Sequence, residues 1–325
     1  MKQDNPNSTV NLGFGCVRLT SNYTKKQALR NLETAYENGI RHFDVAPLYG
    51  FGLAEGMLGE FVKNKRDTLT ITTKFGILAN NSVLKNLFLQ NIIRSAYRVV
   101  KKSKLKNTTQ SIASSATMTP KDFSVANAEK SLNNSLKELK TNYIDYYVMH
   151  EPLISDANNA ELIDFLENKK RQGVIKEFGI ASFSDIIEKE FNTLNSAHTV
   201  LQTSNSFPFS VPESLERGPQ IKQRFYFSPL QYLNQVKTIL HSDEIFARSI
   251  SDKLGFDCKK QLIDVFLMHQ YASTVNGITL FTSSSNEKII GTIDSWNRVK
   301  NLPPNAFEQF TEIQKRITNR LLQTK

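Results

Sequence analysis

The chain has 325 residues, 39% hydrophobic and 22% charged, the composition of a folded protein with a substantial core and not of a disordered one. No stretch approaches the roughly 18 apolar residues of a membrane span, and residues 1–10 are polar without a signal-peptide core, so a cytoplasmic location is expected. The net charge of +10 would suit nucleic acid, but nine Lys or Arg and no Asp or Glu fall within residues 68–121, leaving the remainder close to neutral; basicity confined to one segment without a recognition motif argues against a nucleic-acid partner.

Short β-rich runs alternate with longer helical patterns. In chain order, strands are expected at 12–17, 40–45, 68–74, 143–150, 175–180, 199–203, 223–227 and 277–281. Helices are expected at 25–38, 55–63, 124–140, 158–172, 184–194, 213–221, 243–253 with 259–272, and 286–299. Gly39 and Gly173 each precede a strand, where a left-handed helix C-cap is expected. Strict alternation implies parallel strands with right-handed crossovers, and eight repeats favour closure into an α/β fold of the (β/α)8 TIM-barrel type over an open doubly wound sheet. No linker suggests a second domain, so residues 1–325 are read as one barrel domain. Two segments exceed what the barrel needs. One is the basic insertion at 76–120, after the third strand. The other is 301–325, where Ala306, Phe307, Phe310, Ile313, Ile317 and Leu321 are spaced as a final C-terminal helix packed on the barrel.

Two cysteines, Cys16 and Cys258, are read as free thiols, and the five histidines show no metal-ligand spacing, so no metal is indicated. The chemistry lies instead in four polar residues, Asp44, Tyr49, Lys74 and His150, each at or just beyond the end of an expected strand. Taken singly, each has an ordinary structural reading as a turn residue, a half-buried aromatic, a surface charge or a core histidine. Together they fall on the C-terminal face of a barrel, where active sites are built. A tyrosine hydroxyl with a pKa of about 10 is a poor proton donor at neutral pH, and the Lys74 ammonium would lower it by favouring phenolate. Asp44 would keep that ammonium charged, and His150 would hydrogen-bond the oxygen being protonated. Such a set delivers a proton to a carbonyl and contains no hydride source, so a cofactor must supply the hydride.

Motifs across nearly the whole chain carry a resemblance: Leu12-Gly13-Phe14-Gly15, Asp44 to Tyr49-Gly50, Gly52-Leu53-Ala54-Glu55, Thr73-Lys74-Phe75-Gly76, Tyr143-Ile144-Asp145 through His150-Glu151-Pro152, Gly173-Val174-Ile175-Lys176 and Phe227-Ser228-Pro229-Leu230. In this order the sequence resembles the aldo-keto reductase superfamily. The resemblance implies a (β/α)8 barrel that reduces an aldehyde or ketone, including a sugar or other polar carbonyl, with NADP(H) in preference to NAD(H). It also implies Asp44, Tyr49, Lys74 and His150 as the catalytic tetrad, Tyr49 being the general acid. For the cofactor it implies Ser182 and Gln202 at the carboxamide, with Ala181 where the family has a further polar side chain. Phe227 would lie against the nicotinamide ring, Ser228, Pro229 and Leu230 around the pyrophosphate, and Thr282, Ser283 and Lys288 at the adenosine phosphate. Thr282 replaces a basic residue and Lys288 an arginine, and Lys lacks the bidentate fork of Arg.

The small-molecule carbonyl or alcohol substrate is not named by these motifs. Within the insertion, residues 83–102 form a basic amphipathic pattern, followed by a Ser/Thr-rich tether at 108–119. Packing of its apolar face on the protein itself is favoured over peripheral membrane contact through 83–106. At the barrel mouth it would favour anionic substrates. The competing reading of the chain is a nucleotide-sensing regulatory protein that keeps the barrel but acts through a protein partner. The intact tetrad favours the enzyme.

Overall fold

The computed structural model describes residues 12–21, 24–78, 120–218, 220–274 and 277–323. The amphipathic pattern at 83–102 and the tether at 108–119 lie outside the described residues.

Eight strands form a closed barrel in sequential order: β1 (Leu12–Gly15), β2 (His42–Asp44), β3 (Thr70–Phe75), β4 (Ile144–His150), β5 (Ile175–Ser182), β6 (Val200–Ser204), β7 (Gln223–Phe227) and β8 (Ile278–Phe281). Every neighbouring pair is parallel, β8 closing on β1. Side chains alternate along each strand. One set meets on the barrel axis, where Val148, Ala181, Val200, Phe225 and Leu280 pack together with Tyr146 and Ile278 against them. His42 stacks on Phe225 in the same interior, ring centroids 4.3 Å apart. Gly13 makes room for this layer, because a β-carbon there would meet Leu280, His42 and Ile278 at 2.8–2.9 Å. The opposite set packs under the outer helices, forming the larger core.

The longer helices are α1 (Lys25–Glu37), α2 (Ala54–Val62), α3 (Val125–Leu139), α4 (Ala160–Arg171), α5 (Leu233–Ser242), α6 (Glu244–Leu254), α7 (Leu262–Ser273), α8 (Asn286–Lys300) and α9 (Phe310–Gln323). Side-chain oxygens of Thr24, Ser124, Asn159 and Asp243 accept the first free backbone N–H groups of α1, α3, α4 and α6. Gly39 and Gly173 adopt the left-handed conformation expected of them, with φ of 92° and 73°. In α9, Phe310, Ile313, Ile317 and Leu321 are buried, as their spacing predicts, whereas Ala306 and Phe307 lie on a separate short helix, Pro304–Glu308.

Four local expectations are corrected. The first strand stops at Gly15, and Cys16–Ser21 is a 3-10 helix. The helix expected at 184–194 is a single turn, Ser184–Ile187, and a 3-10 turn, Phe191–Thr193; Ile187, Phe191 and Leu194 are nonetheless buried, so two short turns satisfy the apolar spacing that reads as one helix. The helix expected at 213–221 ends at Glu216, since Pro219 lacks a donor and restricts Gly218 before it. Conversely, α5 has no counterpart among the expected helices; it buries only Val236, Ile239 and Leu240, too short an apolar pattern to stand out beside the preceding loop. No helix among the described residues is long and apolar enough to cross a membrane.

Candidate active site

The barrel register places the sequence-read tetrad at one end. Asp44 closes β2 opposite Gly15 and Thr72, Lys74 on β3 lies opposite Val148, and His150 closes β4 opposite Ala181 of β5, itself opposite Gln202 of β6. On β4, Tyr146 and Val148 belong to the interior layer, and the two-residue period puts His150 above them. Tyr49 follows β2 in a short 3-10 helix, Tyr49–Gly52, whose packing on the 3-10 helix after β1 fixes it beside the strand ends.

Lys74 is 1% exposed, and its Nζ donates to Asp44 Oδ2 at 2.6 Å and to the Val45 carbonyl at 3.1 Å. The same Nζ lies 4.8 Å from the centre of the Tyr49 ring. The rings of Tyr49 and His150 stand 6.1 Å apart and nearly perpendicular, at 83°. The four residues therefore form one contiguous group.

Burial opposes the charge on Lys74, and the Asp44 carboxylate with Tyr49 more than offsets it, so the ammonium is held above the ordinary lysine range. Burial likewise pushes the Tyr49 phenol up, with Lys74 pulling it down. The net direction differs from the lowering expected from sequence because burial outweighs the cation. His150 is lowered to about 3 by burial, then by Lys74 and Lys121, and stands neutral. The site thus holds a protonated phenol, a neutral imidazole and a buried ion pair.

The candidate cofactor residues lie on β5, β6 and β7 and on the segments that follow β7 and β8. Ser182 Oγ, Gln202 Oε1 and Thr282 Oγ1 are buried polar atoms without a hydrogen-bond partner, each an anomaly that a bound polar ligand would resolve. Burial pushes the Asp44 carboxyl up, with Lys74 and then Gln202 pulling it down, the last an interaction not read from the sequence. Phe227 is half-buried with its ring edge-on to Phe183 at 5.2 Å. Ser228 holds a left-handed φ of 59°, its carbonyl accepts from Ser206 Oγ at 2.9 Å, and Leu230 beyond it packs against the larger core. Ser283 is buried and its Oγ bonds the backbone of Ser285, the residue just before α8; Lys288, in the first turns of α8, is exposed. Ser283 and Lys288 therefore flank a helix N-terminus, a favourable place for an anion.

Two further residues adjoin the tetrad. The Cys16 thiol is buried and pushed up by burial and by Asp44. Lys121, on the return of the excursion after β3, contributes to the charge felt by His150. Cys16 directly follows Leu12-Gly13-Phe14-Gly15, and a strand-end position was its only signal. Among the described residues no three or more His, Cys, Asp or Glu side chains are arranged to hold a metal. A groove of about 910 Å³ lies away from the tetrad and is lined by Phe256, Asp264, Arg298 and Asn301 among others. A smaller one of about 320 Å³, including Arg41, Thr70, Tyr143 and Lys176, opens at the opposite barrel end. Neither of these two grooves is lined by Tyr49, Lys74 or His150.

The Aldo/keto reductase family model matches residues 11–190. The chain is 27% identical over 195 residues to the aldo-keto reductase YhdN of Bacillus subtilis (strain 168), covering 59% of this chain and 47% of that protein. It is 28% identical over 177 residues to D-threo-aldose 1-dehydrogenase of a Pseudomonas species, covering 53% and 49%. The chain thus spans about half the length of the relatives it matches. The fold is similar to that of an aldo-keto reductase from Klebsiella pneumoniae solved in complex with NADPH, with a TM-score of 0.61 at 14% identity over 94% of this chain and 90% of that one. It is equally similar to the holo form of an aldo-keto reductase from Bacillus halodurans, with a TM-score of 0.62 at 19% identity over 94% and 91%. A match over more than half of the sequence, on a closed eight-stranded barrel with the tetrad at its mouth, places this chain in the aldo/keto reductase family.

Proposed function

We propose that this protein is an oxidoreductase that reduces an aldehyde or ketone, with NADP(H) preferred over NAD(H). The observation that carries the proposal is the Lys74 ammonium, locked at 2.6 Å on Asp44 and 4.8 Å from the Tyr49 ring, with His150 across from the phenol.

A bound nicotinamide nucleotide supplies the hydride. The unpartnered Ser182, Gln202 and Thr282 atoms, the half-buried Phe227, the turn at Ser228, Pro229 and Leu230, and the start of α8 with Ser283 and Lys288 fit such a group. Preference for the 2′-phosphorylated nucleotide rests on Lys288 beside a helix N-terminus, with the solved relative in complex with NADPH as a parallel.

The neutral His150 imidazole donates to the carbonyl oxygen and orients it toward Tyr49. As negative charge develops on that oxygen, the Tyr49 hydroxyl transfers its proton to it, and the phenolate left behind faces Lys74. Asp44 keeps Lys74 charged through the cycle, and Gln202 steadies Asp44. Burial makes Tyr49 a reluctant acid at rest, so proton loss is favourable only against a basic oxygen formed during reduction. In the reverse direction Tyr49 is the base. A polar carbonyl or sugar substrate is in keeping with the sugar-oxidising relative.

The test is a titration with NADPH and with NADH followed by fluorescence, then a carbonyl panel with Tyr49→Phe as control. Nucleotide binding by both proteins with turnover only by the parent supports the proposal. Turnover that survives Tyr49→Phe overturns the proton-transfer role, and failure to bind either nucleotide overturns the whole.

A further inference from the structure

The excursion between β3 and β4 leaves and rejoins the barrel through a stem that reaches both Lys74 and His150. Leu78 N donates to the Pro120 carbonyl at 3.0 Å, Asp122 N donates to the Gly76 carbonyl at 2.8 Å, and Ile77 pairs with Lys121 as an antiparallel bridge. Gly76 has a φ of 108°, and a β-carbon there would lie 2.0 Å from the ring of Phe123, which packs edge-on against Phe75. Ser124 then caps α3. Lys121 accordingly stands on fixed backbone, one strand end from the Lys74–Asp44 pair.

From there its Nζ reaches over β4 to the residue directly after His150. It donates to the Glu151 carbonyl at 2.8 Å and to Glu151 Oε2 at 3.2 Å. Glu151 holds a φ of 55°, a left-handed conformation that a residue with a β-carbon keeps only where its surroundings over-determine it. Here the surroundings are the Ala181 carbonyl, which accepts from Glu151 N at 2.7 Å, and Lys121. Both side chains of the pair are more than a third exposed, so the contact contributes little to overall stability and its consequence is geometric.

We propose that Lys121 is a positioning residue: by clamping Glu151 in its left-handed conformation, it sets the direction in which His150 is presented to the substrate carbonyl facing Tyr49. The proposal rests on the roles given above to His150 and Tyr49. The basic charge at this edge of the excursion is then part of the reduction machinery. The Lys121 ammonium also adds to the field that keeps His150 neutral.

The experiment compares Lys121→Met and Lys121→Arg in the parent and in a His150→Gln background. Lys121→Met is expected to lower kcat for carbonyl reduction about tenfold, since small misplacements of a catalytic group are costly. The melting temperature and nucleotide Kd should stay unchanged, and Lys121→Arg should restore the rate. In the His150→Gln background Lys121→Met should cause no further loss. A second readout needs no turnover: with isotope-labelled histidine, the His150 ring resonance should move in Lys121→Met and return in Lys121→Arg. Parental kcat with an unmoved resonance overturns the proposal, and so does an equal fractional loss in both backgrounds. If the parent itself reduces no carbonyl, the functional reading fails separately, and the His150 resonance decides the clamp.

Discussion

Asp44 and Asp145 are both buried aspartates in the same barrel, each paired with a lysine, yet they sit at opposite ends and are provisioned differently. Asp145, near the start of β4, accepts from Arg66 Nη2 at 2.6 Å, from Lys176 Nζ at 2.7 Å and from Ile71 N at 2.9 Å. Arg66 in turn donates to the Leu69 and Tyr143 carbonyls and lies 3.8 Å from the centre of the Tyr143 ring. Both oxygens of Asp145 are occupied, and each contact joins segments that must meet for the barrel to close. Asp44 spends its strongest hydrogen bond on one ammonium, and around it Gln202 Oε1 and Ser182 Oγ remain unpartnered. A buried charge with every partner in place serves the fold. Under the proposed function, one among unfinished contacts is held for a reaction, at a standing cost in stability.

The largest effect expected from this contrast comes from replacing the mouth pair with neutral groups of similar size. Asp44→Asn with Lys74→Met should lower kcat/KM by about a thousandfold or more, roughly 4 kcal/mol of transition-state stabilisation. Unfolding stability should stay level or rise, because exchanging a buried ion pair for neutral groups removes its desolvation penalty. Urea denaturation beside steady-state kinetics checks both halves, and a large stability loss would erase the distinction between the two ends.

Asp145→Ala should do the reverse. It strands Arg66, only 11% exposed at its side chain, and is expected to lower stability by about 3 kcal/mol while leaving turnover at a permissive temperature within about twofold. Denaturant midpoints measured with and without nucleotide would show whether the mouth senses the loss.

Much of this contrast is readable before any coordinates. Strand ends at Asp44, Lys74 and His150 follow from apolar runs stopping at polar residues, and parallel closure puts them on one face. Asp145 is visible only as a motif letter, because its partners Arg66 and Lys176 come from segments 79 and 31 residues away and no local pattern announces such a meeting. The direction of the Tyr49 shift escapes the sequence for a related reason: a sequence shows that a cation is near but not how deeply the phenol is buried. The segment 184–194 is two turns and not one helix because apolar spacing specifies which side chains are covered, and several backbone paths cover Ile187, Phe191 and Leu194 equally well, whereas Pro219 ends the helix expected at 213–221.

Acid probes the mouth through His150. Burial first and then the charges of Lys74 and Lys121 lower His150 to about 3, and His42, nearer the opposite end of the barrel, is lowered to about 3 by burial and then by Lys74. Both folded values lie below the unfolded value of about 6.5, so the unfolded chain binds more protons in that window, and stability is lost as the pH falls from about 6.5 toward 3. Each histidine should contribute about 1.4 kcal/mol per pH unit there. His150→Gln should therefore make the acid slope of unfolding free energy shallower by about one proton, measured by denaturation at several pH values. A slope that does not change would mean His150 is not held neutral by the fold.

The smallest effect is expected within the Asp145 cluster itself. Arg66 and Lys176 both reach the same carboxylate at nearly the same distance, but the Lys176 side chain is 57% exposed where that of Arg66 is 11%. Distance alone would rank the two contacts as equals. Exposure does not, because water and salt screen the lysine while the guanidinium is committed to two backbone carbonyls and an aromatic face. Lys176→Met should cost less than about 1 kcal/mol, and most of that difference should vanish at high ionic strength. Arg66→Met should cost several times more and respond weakly to salt, because it leaves Asp145 buried with the screened lysine as its charged partner. If the two variants proved equal in denaturant melts at low and high salt, Asp145 would be held by charge at a distance and not by the enclosed contacts that distinguish it from Asp44.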